Sequence, residues 1–289
     1  MFECRALFNG SSDTSQQDPP TIIGIGRRIR LNLKLLYREV VRAPYYRWRV
    51  DRIARRIHAK WRFSRHRVGT PSEWLSRSGI EPGSALEAFA RWRPDLEHAV
   101  ARVAATRGEQ GGVSFDDGIL LYVLARMLRP EYVIETGVAA GVSTAFLCAA
   151  LSDNGYGHLY SIELPPASVQ DLQQDDGALF DWPASGVGWA IPETVRQAIG
   201  PRHTLILDDV RRALPRLLDQ LPFVDLFIHD DLHIPEHMLW EYRLVWPKLR
   251  AGGMLASDDV NEGWLAFCSE RGAPVAALHN LDRFAALRK

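Results

Sequence analysis

Acidic residues recur at one kind of place in the second half of this chain. Glu135, Glu163, Asp208-Asp209, Asp230-Asp231 and Asp258-Asp259 each close a run that reads as a β-strand: 132–136, 159–162, 203–207, 224–229 and 253–257. In an open parallel sheet, ligands bind outside the carboxyl ends of the strands, where the strand order reverses. A scatter of surface acids would not choose those positions each time, so the pattern marks a binding site rich in carboxylates. The first acid opens a glycine turn, ETGVAAGVST from Glu135 to Thr144, between a strand and a helix.

That turn discriminates between ligands. A dinucleotide loop uses G-x-G-x-x-G so that a pyrophosphate reaches the helix N-terminus. Here the spacing is Gly137-x-x-x-Gly141, with Ser143 and Thr144 where a third glycine would stand. Glu135, two residues before Gly137, would repel a pyrophosphate and suits an ammonium or sulfonium group. Glu163 follows Gly141 by 22 residues and ends the second strand, the usual place for an acid that accepts from ribose hydroxyls. Asp208 ends the third strand and could accept from an adenine amine. A ribose, an adenine and a cation without phosphate describe S-adenosylmethionine, with Glu135, Thr136, Gly137, Gly141, Ser143, Glu163 and Asp208 as its expected contacts. Asp230, Asp258 and Asp259 end two further strands. Such carboxylates can converge on a hard cation such as Mg²⁺, which takes oxygen ligands. Asp258-Asp259 could instead begin a turn and cap the next helix.

The elements that must position these residues alternate strand and helix from about 113 onward. Ser114 and Asp117 make a capping-box-like start for a helix over 115–128. Further helices are expected near 142–151, from Pro192, over 210–220 and over 236–249. The alternation argues for an α/β fold, a doubly wound and mostly parallel sheet covered on both faces. Two short runs, 275–278 and 283–287, allow an antiparallel pair at the C-terminal end.

The first third differs. Residues 1–26 are polar and turn-rich, the composition of a disordered tail. From Arg27 to Arg67 there are fifteen Lys and Arg against two acids, Glu39 and Asp51, although the whole chain balances to zero net charge. Residues 27–112 read as a basic helical extension and 113–289 as the catalytic-type domain. The simpler role for 27–68 is a solvated helix packed on that domain; a basic amphipathic helix can also lie on an anionic membrane. No apolar run approaches the roughly 18 residues a spanning helix needs, and the first twenty residues lack the apolar core of a secretory signal. Cys4, Cys148 and Cys268 are too scattered for a disulfide framework or a zinc site. The expectation is a cytoplasmic protein, with peripheral membrane association through 27–68 and self-association both open. There is no recognisable nucleic-acid-binding motif, and a nicotinamide dehydrogenase is disfavoured by the missing glycine.

ETGVAAGVST, LYSIE, VGWAIPE, FIHDDLH, the EHM…EY…WPKLRAGG run and SDD resemble the class I S-adenosylmethionine-dependent methyltransferases. The nearest group contains metal-dependent sugar and small-molecule O-methyltransferases together with cephalosporin hydroxylase-like proteins. The resemblance covers roughly 113–289. It implies a seven-stranded Rossmann-like sheet with a reversed terminal hairpin, and a hydroxyl on a sugar or secondary metabolite as methyl acceptor. It also implies that Asp230, Asp258 and Asp259 hold the metal that activates this hydroxyl, with Asp231 as an alternative to Asp230. Several relatives carry a basic acid two positions after the metal-binding Asp. Leu232 stands there, so His233 becomes the candidate base, with His229 and His237 nearby. Two other functions remain as alternatives: a cephalosporin hydroxylase-like protein, for which no two-His-one-carboxylate iron triad is evident in the spacing, and a non-catalytic cofactor-binding module anchored by its basic helix. Trp182, Trp189 and Trp264 are either core or acceptor-pocket aromatics, and Asn261 either orients a substrate or ends a strand.

Overall fold

A computed structural model describes residues 54, 57–59, 61–68, 70–106, 113–165, 186–275, 278–279 and 284–289. The expected tail at 1–26, most of the basic stretch, and Trp182 lie outside these residues. The described elements run β1 (Arg67–Val68), α1 (Pro71–Arg77), α2 (Ala85–Phe89), α3 (Arg93–Ala105), α4 (Phe115–Leu128), β2 (Tyr132–Thr136), α5 (Val142–Asn154), β3 (His158–Glu163), α6 (Glu193–Ile199), β4 (His203–Leu207), α7 (Val210–Gln220), β5 (Val224–His229), α8 (Pro235–Val245), β6 (Leu249–Ser257), α9 (Glu262–Arg271), β7 (Leu278–His279) and β8 (Ala285–Arg288).

Helix α4 starts where the sequence predicts, because the Ser114 hydroxyl accepts the Asp117 amide at 3.1 Å and so satisfies one of the orphan donors of a helix start. It ends at Arg129, in the left-handed region, just before Pro130. Strands β2 and β5 are buried along almost their whole length, as expected of parallel strands covered on both faces. Six strands form one sheet in the order β4-β3-β2-β5-β6-β8. The first five are parallel, and β8 runs antiparallel to β6. The reversed C-terminal pairing is therefore present, but against β6. Strand β7 pairs with β1 in a separate two-stranded sheet, which leaves six rather than seven strands in the main sheet among the described residues. The order reverses between β2 and β5, whose ends pair as Thr136 with His229.

Strand β6 begins at Leu249, four residues earlier than predicted, because Gly252-Gly253 continues the strand; the pairing with β5 shifts register between Val224 and Leu226. Helix α9 is not legible as a period in the sequence. Its start is nevertheless a cap, since Asn261 accepts the Gly263 amide at 2.8 Å.

Helices α1 to α3 share one apolar cluster with α4 and α5. Trp74, Leu75, Phe89, Trp92 and Leu96 are buried in it beside Leu120 and Phe146. Phe89 stacks on Phe146 with centroids 5.9 Å apart and meets Tyr122 edge-on at 5.0 Å. Trp74 packs on Phe284, 5.5 Å away. The chain from Arg56 to Lys289 is one compact unit.

Candidate functional site

The glycine turn is shaped by its own protein. Gly137 and Gly141 have φ of +83° and +92°, and Ala139 between them has +46°. A Cβ on Gly137 would stand 2.0 Å from the Asp230 carbonyl oxygen, and one on Gly141 would stand 2.6 Å from Ile191 Cγ1 and 2.8 Å from Gly188 Cα. Both glycines therefore admit neighbouring chain. The VGWAIPE segment is that neighbour: the Gly188 amide donates to Ala139 O and the Ala190 amide to Ala140 O, both at 2.8 Å. Arg196 in turn donates to the Gly188 and Ile191 carbonyls.

Glu163 Oε2 accepts the Val138 and Ala139 amides at 2.6 and 2.9 Å, and Oε1 accepts the Leu164 amide at 2.7 Å. Burial pushes its carboxyl up from the usual range, against the pull of those three amides. An ionised carboxylate offers about four acceptor positions, so one on Oε1 remains for a ligand hydroxyl. Glu135 is fully buried beneath the turn. Its Oε2 accepts from Thr144 at 2.8 Å and Ser161 at 2.7 Å. Burial raises its pKa, opposed by hydroxyls that include that of Ser143. Asp208 sits next to Glu163, its amide donating to the Glu163 carbonyl at 3.0 Å. Its Oδ1 accepts from Arg212 at 2.6 Å, and this hydrogen bond holds its pKa down.

Thr136, also expected at the cofactor, directs its side chain elsewhere. Its hydroxyl donates to Glu241 Oε2 at 2.9 Å, because alternation along β2 turns it to the face opposite Glu135.

At the end of β5 two sets of side chains part company. Asp230, His233 and Asp258 bring ligand atoms within 4.8 Å of one another, with His233 Nε2 3.8 Å from Asp230 Oδ1. Burial first, then the charges of Asp258, Glu135, Asp259 and Asp231, push the Asp230 carboxyl well above the usual range. Asp259 is not in that set; the chain turns there with φ of +45°, and its charge acts on Asp230. Asp231 belongs to the other set. His229 Nδ1 lies 2.6 Å from Glu241 Oε2 and 3.2 Å from Asp231 Oδ1. His237 Nε2 lies 3.0 Å from Asp231 Oδ2 and 3.5 Å from Glu241 Oε1. Burial works to lower His237, but Asp231 and Glu241 outweigh it and lift the imidazole to about 10. In space the two neighbours separate: Asp230 faces Asp258, and Asp231 faces α8.

A strand order reversing beside a glycine turn, with acids at the strand ends, is the arrangement that known families can now be set against. The family described as "Methyltransferase domain" matches residues 134–260. That span holds Glu135, Glu163, Asp208, Asp230 and Asp258. The match covers the glycine turn and the ends of β2 to β6. Solved structures similar to the chain include an O-methyltransferase from Bacillus cereus in complex with SAH, at 15% identity and TM-score 0.47 over 68% of this chain and 91% of that one. A TDP-rhamnose 3'-O-methyltransferase of calicheamicin biosynthesis is similar at 16% identity and TM-score 0.44 over 68% and 93%. The O-methyltransferase TomG from Streptomyces achromogenes, involved in tomaymycin synthesis, has 19% identity and TM-score 0.41 over 63% and 72%. No curated protein matches the sequence.

Other sequence candidates take structural places. Trp264 is buried in the core at 0% exposure. Trp189 is half-buried with Arg102 over its ring, 4.8 Å from the centroid. Asn261 caps α9 and also donates from its amide to the His233 carbonyl at 2.9 Å, so it pins the loop that carries His233. Glu241 was missed by the sequence reading. The signal available was the i, i+4 pair with His237 on α8. Among the described residues no helix is long and apolar enough to cross a membrane.

Proposed function

We propose that the chain methylates a hydroxyl on a small molecule of the sugar or secondary-metabolite class, using S-adenosylmethionine and a divalent cation. The observation that carries this reading is the convergence of Asp230, His233 and Asp258 beside the glycine turn, at the point where the strand order reverses. The donor sets fit the two groups. Glu163 keeps one acceptor position for a ribose hydroxyl, and Asp208 stands beside it for an adenine amine. Asp230, desolvated and crowded by four other carboxylates, is a group whose ionised form a cation would stabilise, and Asp230 with Asp258 would hold Mg²⁺ through oxygen. When bound, S-adenosylmethionine supplies the methyl group and the cation acidifies the acceptor hydroxyl. His233 Nε2 takes the hydroxyl proton in this scheme. Asn261 holds the His233 backbone, and the glycine turn with the 187–193 segment fixes the cofactor side of the cleft.

A second role for His233 is favoured by its position: one of its ring nitrogens lies within 4.8 Å of a carboxylate oxygen of both Asp230 and Asp258. His233→Ala separates the two. Loss of a base abolishes turnover and leaves Mg²⁺ affinity alone, whereas loss of a ligand weakens Mg²⁺ as well.

The function is tested by thermal shift with S-adenosylhomocysteine, NADH and Mg²⁺. A ligand at 100 times its Kd stabilises by about 2.7 kcal/mol, several degrees at about 2–4 °C per kcal/mol for a domain of this size. The expected result is a shift with S-adenosylhomocysteine and none with NADH; the reverse sinks the proposal. Glu163→Ala should weaken S-adenosylhomocysteine at least tenfold with or without metal. Asp258→Asn should spare it and remove the metal dependence of methyl transfer, read as mass gain on a model hydroxyl acceptor. For residues 27–68 we propose contact with anionic membrane; equal vesicle binding by full-length protein and a variant lacking residues 1–70 removes it.

A further inference from the structure

We infer that His229, Asp231, His237 and Glu241 form a second metal site, one that takes a borderline dication such as Zn²⁺, Co²⁺ or Fe²⁺ and ties the end of β5 to α8. The proposed function assigns no role to these four side chains beyond Asp231 as the alternative to Asp230.

Three ligand atoms, one each from His229, Asp231 and Glu241, lie within 4.8 Å of one another, and His237 Nε2 reaches both carboxylates. His229, Asp231 and Glu241 thus form the convergent set, and His237 borders its two carboxylates from α8. The donor count does not balance with protons alone. His229 Nδ1 carries at most one proton, yet it faces Glu241 Oε2 at 2.6 Å and Asp231 Oδ1 at 3.2 Å. His237 Nε2 likewise faces Asp231 Oδ2 and Glu241 Oε1. As a result Asp231 Oδ1 and Glu241 Oε1 are buried without a well-formed hydrogen bond among the described residues. Glu241 is itself fully buried, and an unpaired carboxylate oxygen there is costly. One divalent cation held by His229, Asp231 and Glu241 would supply the positive charge these carboxylates lack, with His237 as a further nitrogen beside them.

The ligand chemistry selects the metal class. Imidazole nitrogen with carboxylate oxygen suits zinc and its neighbours in the first transition row, whereas Mg²⁺ prefers oxygen alone. This contrasts with the oxygen-rich pair Asp230 and Asp258. Alternation at the end of β5 sends His229 and Asp231 to one side and Asp230 to the other, so one strand end serves two sites. His237 also lines an open cleft of about 520 Å³ with Leu232, Ile234 and Trp240, which supplies an entry path. A cation bound here would fix the His229–Asp231 turn, and with it the position of Asp230.

The test uses the full chain, stripped with a chelator and titrated with Co²⁺ and Zn²⁺. Bound metal is read by Co²⁺ absorption and by elemental analysis after desalting. Wild type and Asp258→Asn should each retain one equivalent of Zn²⁺. His237→Ala and Glu241→Gln should weaken Zn²⁺ at least tenfold while still shifting with S-adenosylhomocysteine, which certifies that they are folded and keeps this test separate from that of the proposed function. His237→Ala carries the test alone if Glu241→Gln does not fold. Retention of no Zn²⁺ or Co²⁺ by folded wild type overturns the inference. So does binding that survives His237→Ala but is lost in Asp258→Asn.

Discussion

Glu135 is reached by a buried chain of polar groups that starts at the sheet edge. His203 on β4 has Nε2 3.2 Å from the Ser161 hydroxyl, which donates to Glu135. Burial first, then the nearby Arg196, lowers the His203 imidazole to about 4. Its folded pKa lies below the ordinary 6.5, so protonation opposes folding. The corresponding stability is present above pH 6.5 and is lost as pH falls through about 4, up to about 3 kcal/mol in full. His203→Gln should therefore flatten the acid limb of melting temperature against pH between those limits. An unchanged acid limb would show that this imidazole is not held neutral. At the same scale Glu163 illustrates how far residue type could be read. Its placement at a strand end was legible, but its three amide partners were not, since they come from a turn 24 residues back and from Leu164.

The glycine turn is the element on which both halves of the site depend. It holds the cofactor side through Glu163, and through Gly137 it touches the Asp230 backbone. Gly137→Ala would drive a Cβ to 2.0 Å from the Asp230 carbonyl and place a non-glycine residue at a positive φ. We expect a loss of about 1–3 kcal/mol in urea melts, together with weakened S-adenosylhomocysteine and Mg²⁺ binding. If only the cofactor is affected, the turn does not position Asp230. From sequence, two glycines beside a helix suggested close approach by a ligand. The φ values that require glycine were implicit in the spacing, whereas the identity of the approaching group was not. Elements with strong local signals emerged where expected: α4 from its Ser114 cap, β2, β4 and β5 from continuous apolar runs. Helix α9 and the start of β6 did not, because α9 is ten residues long with only Gly263, Trp264, Phe267 and Cys268 buried, a short stripe, and a glycine pair reads as a strand break.

At the scale of the molecule, the helices before the sheet are part of its core. Phe89 touches α4 and α5 through ring contacts with Tyr122 and Phe146, so Phe89→Ala should cost about 3–5 kcal/mol. The loss should appear as one cooperative transition at lower denaturant, by near-UV and far-UV circular dichroism alike. A separate early phase limited to part of the helical signal would show instead that α1–α3 unfold on their own. The division of polar side chains around β5 also belongs to this scale. It exists because β5 lies between β2 and β6 and is covered by α8, so its two faces meet different partners.

By itself the sequence determined the strand and helix alternation, the absence of a third turn glycine and the rule that acids stand at strand ends. These follow from hydropathy period and local backbone preference, which act over a few residues. Only the tertiary structure decided which acids meet. Asp230 joined Asp258 while its neighbour Asp231 joined two histidines and Glu241, Thr136 turned inward, and Asp259 fell outside the convergent set. The physical reason is that pairing across strands and packing against a helix join residues far apart in the chain. A one-residue step along a strand sends the next side chain to the opposite face.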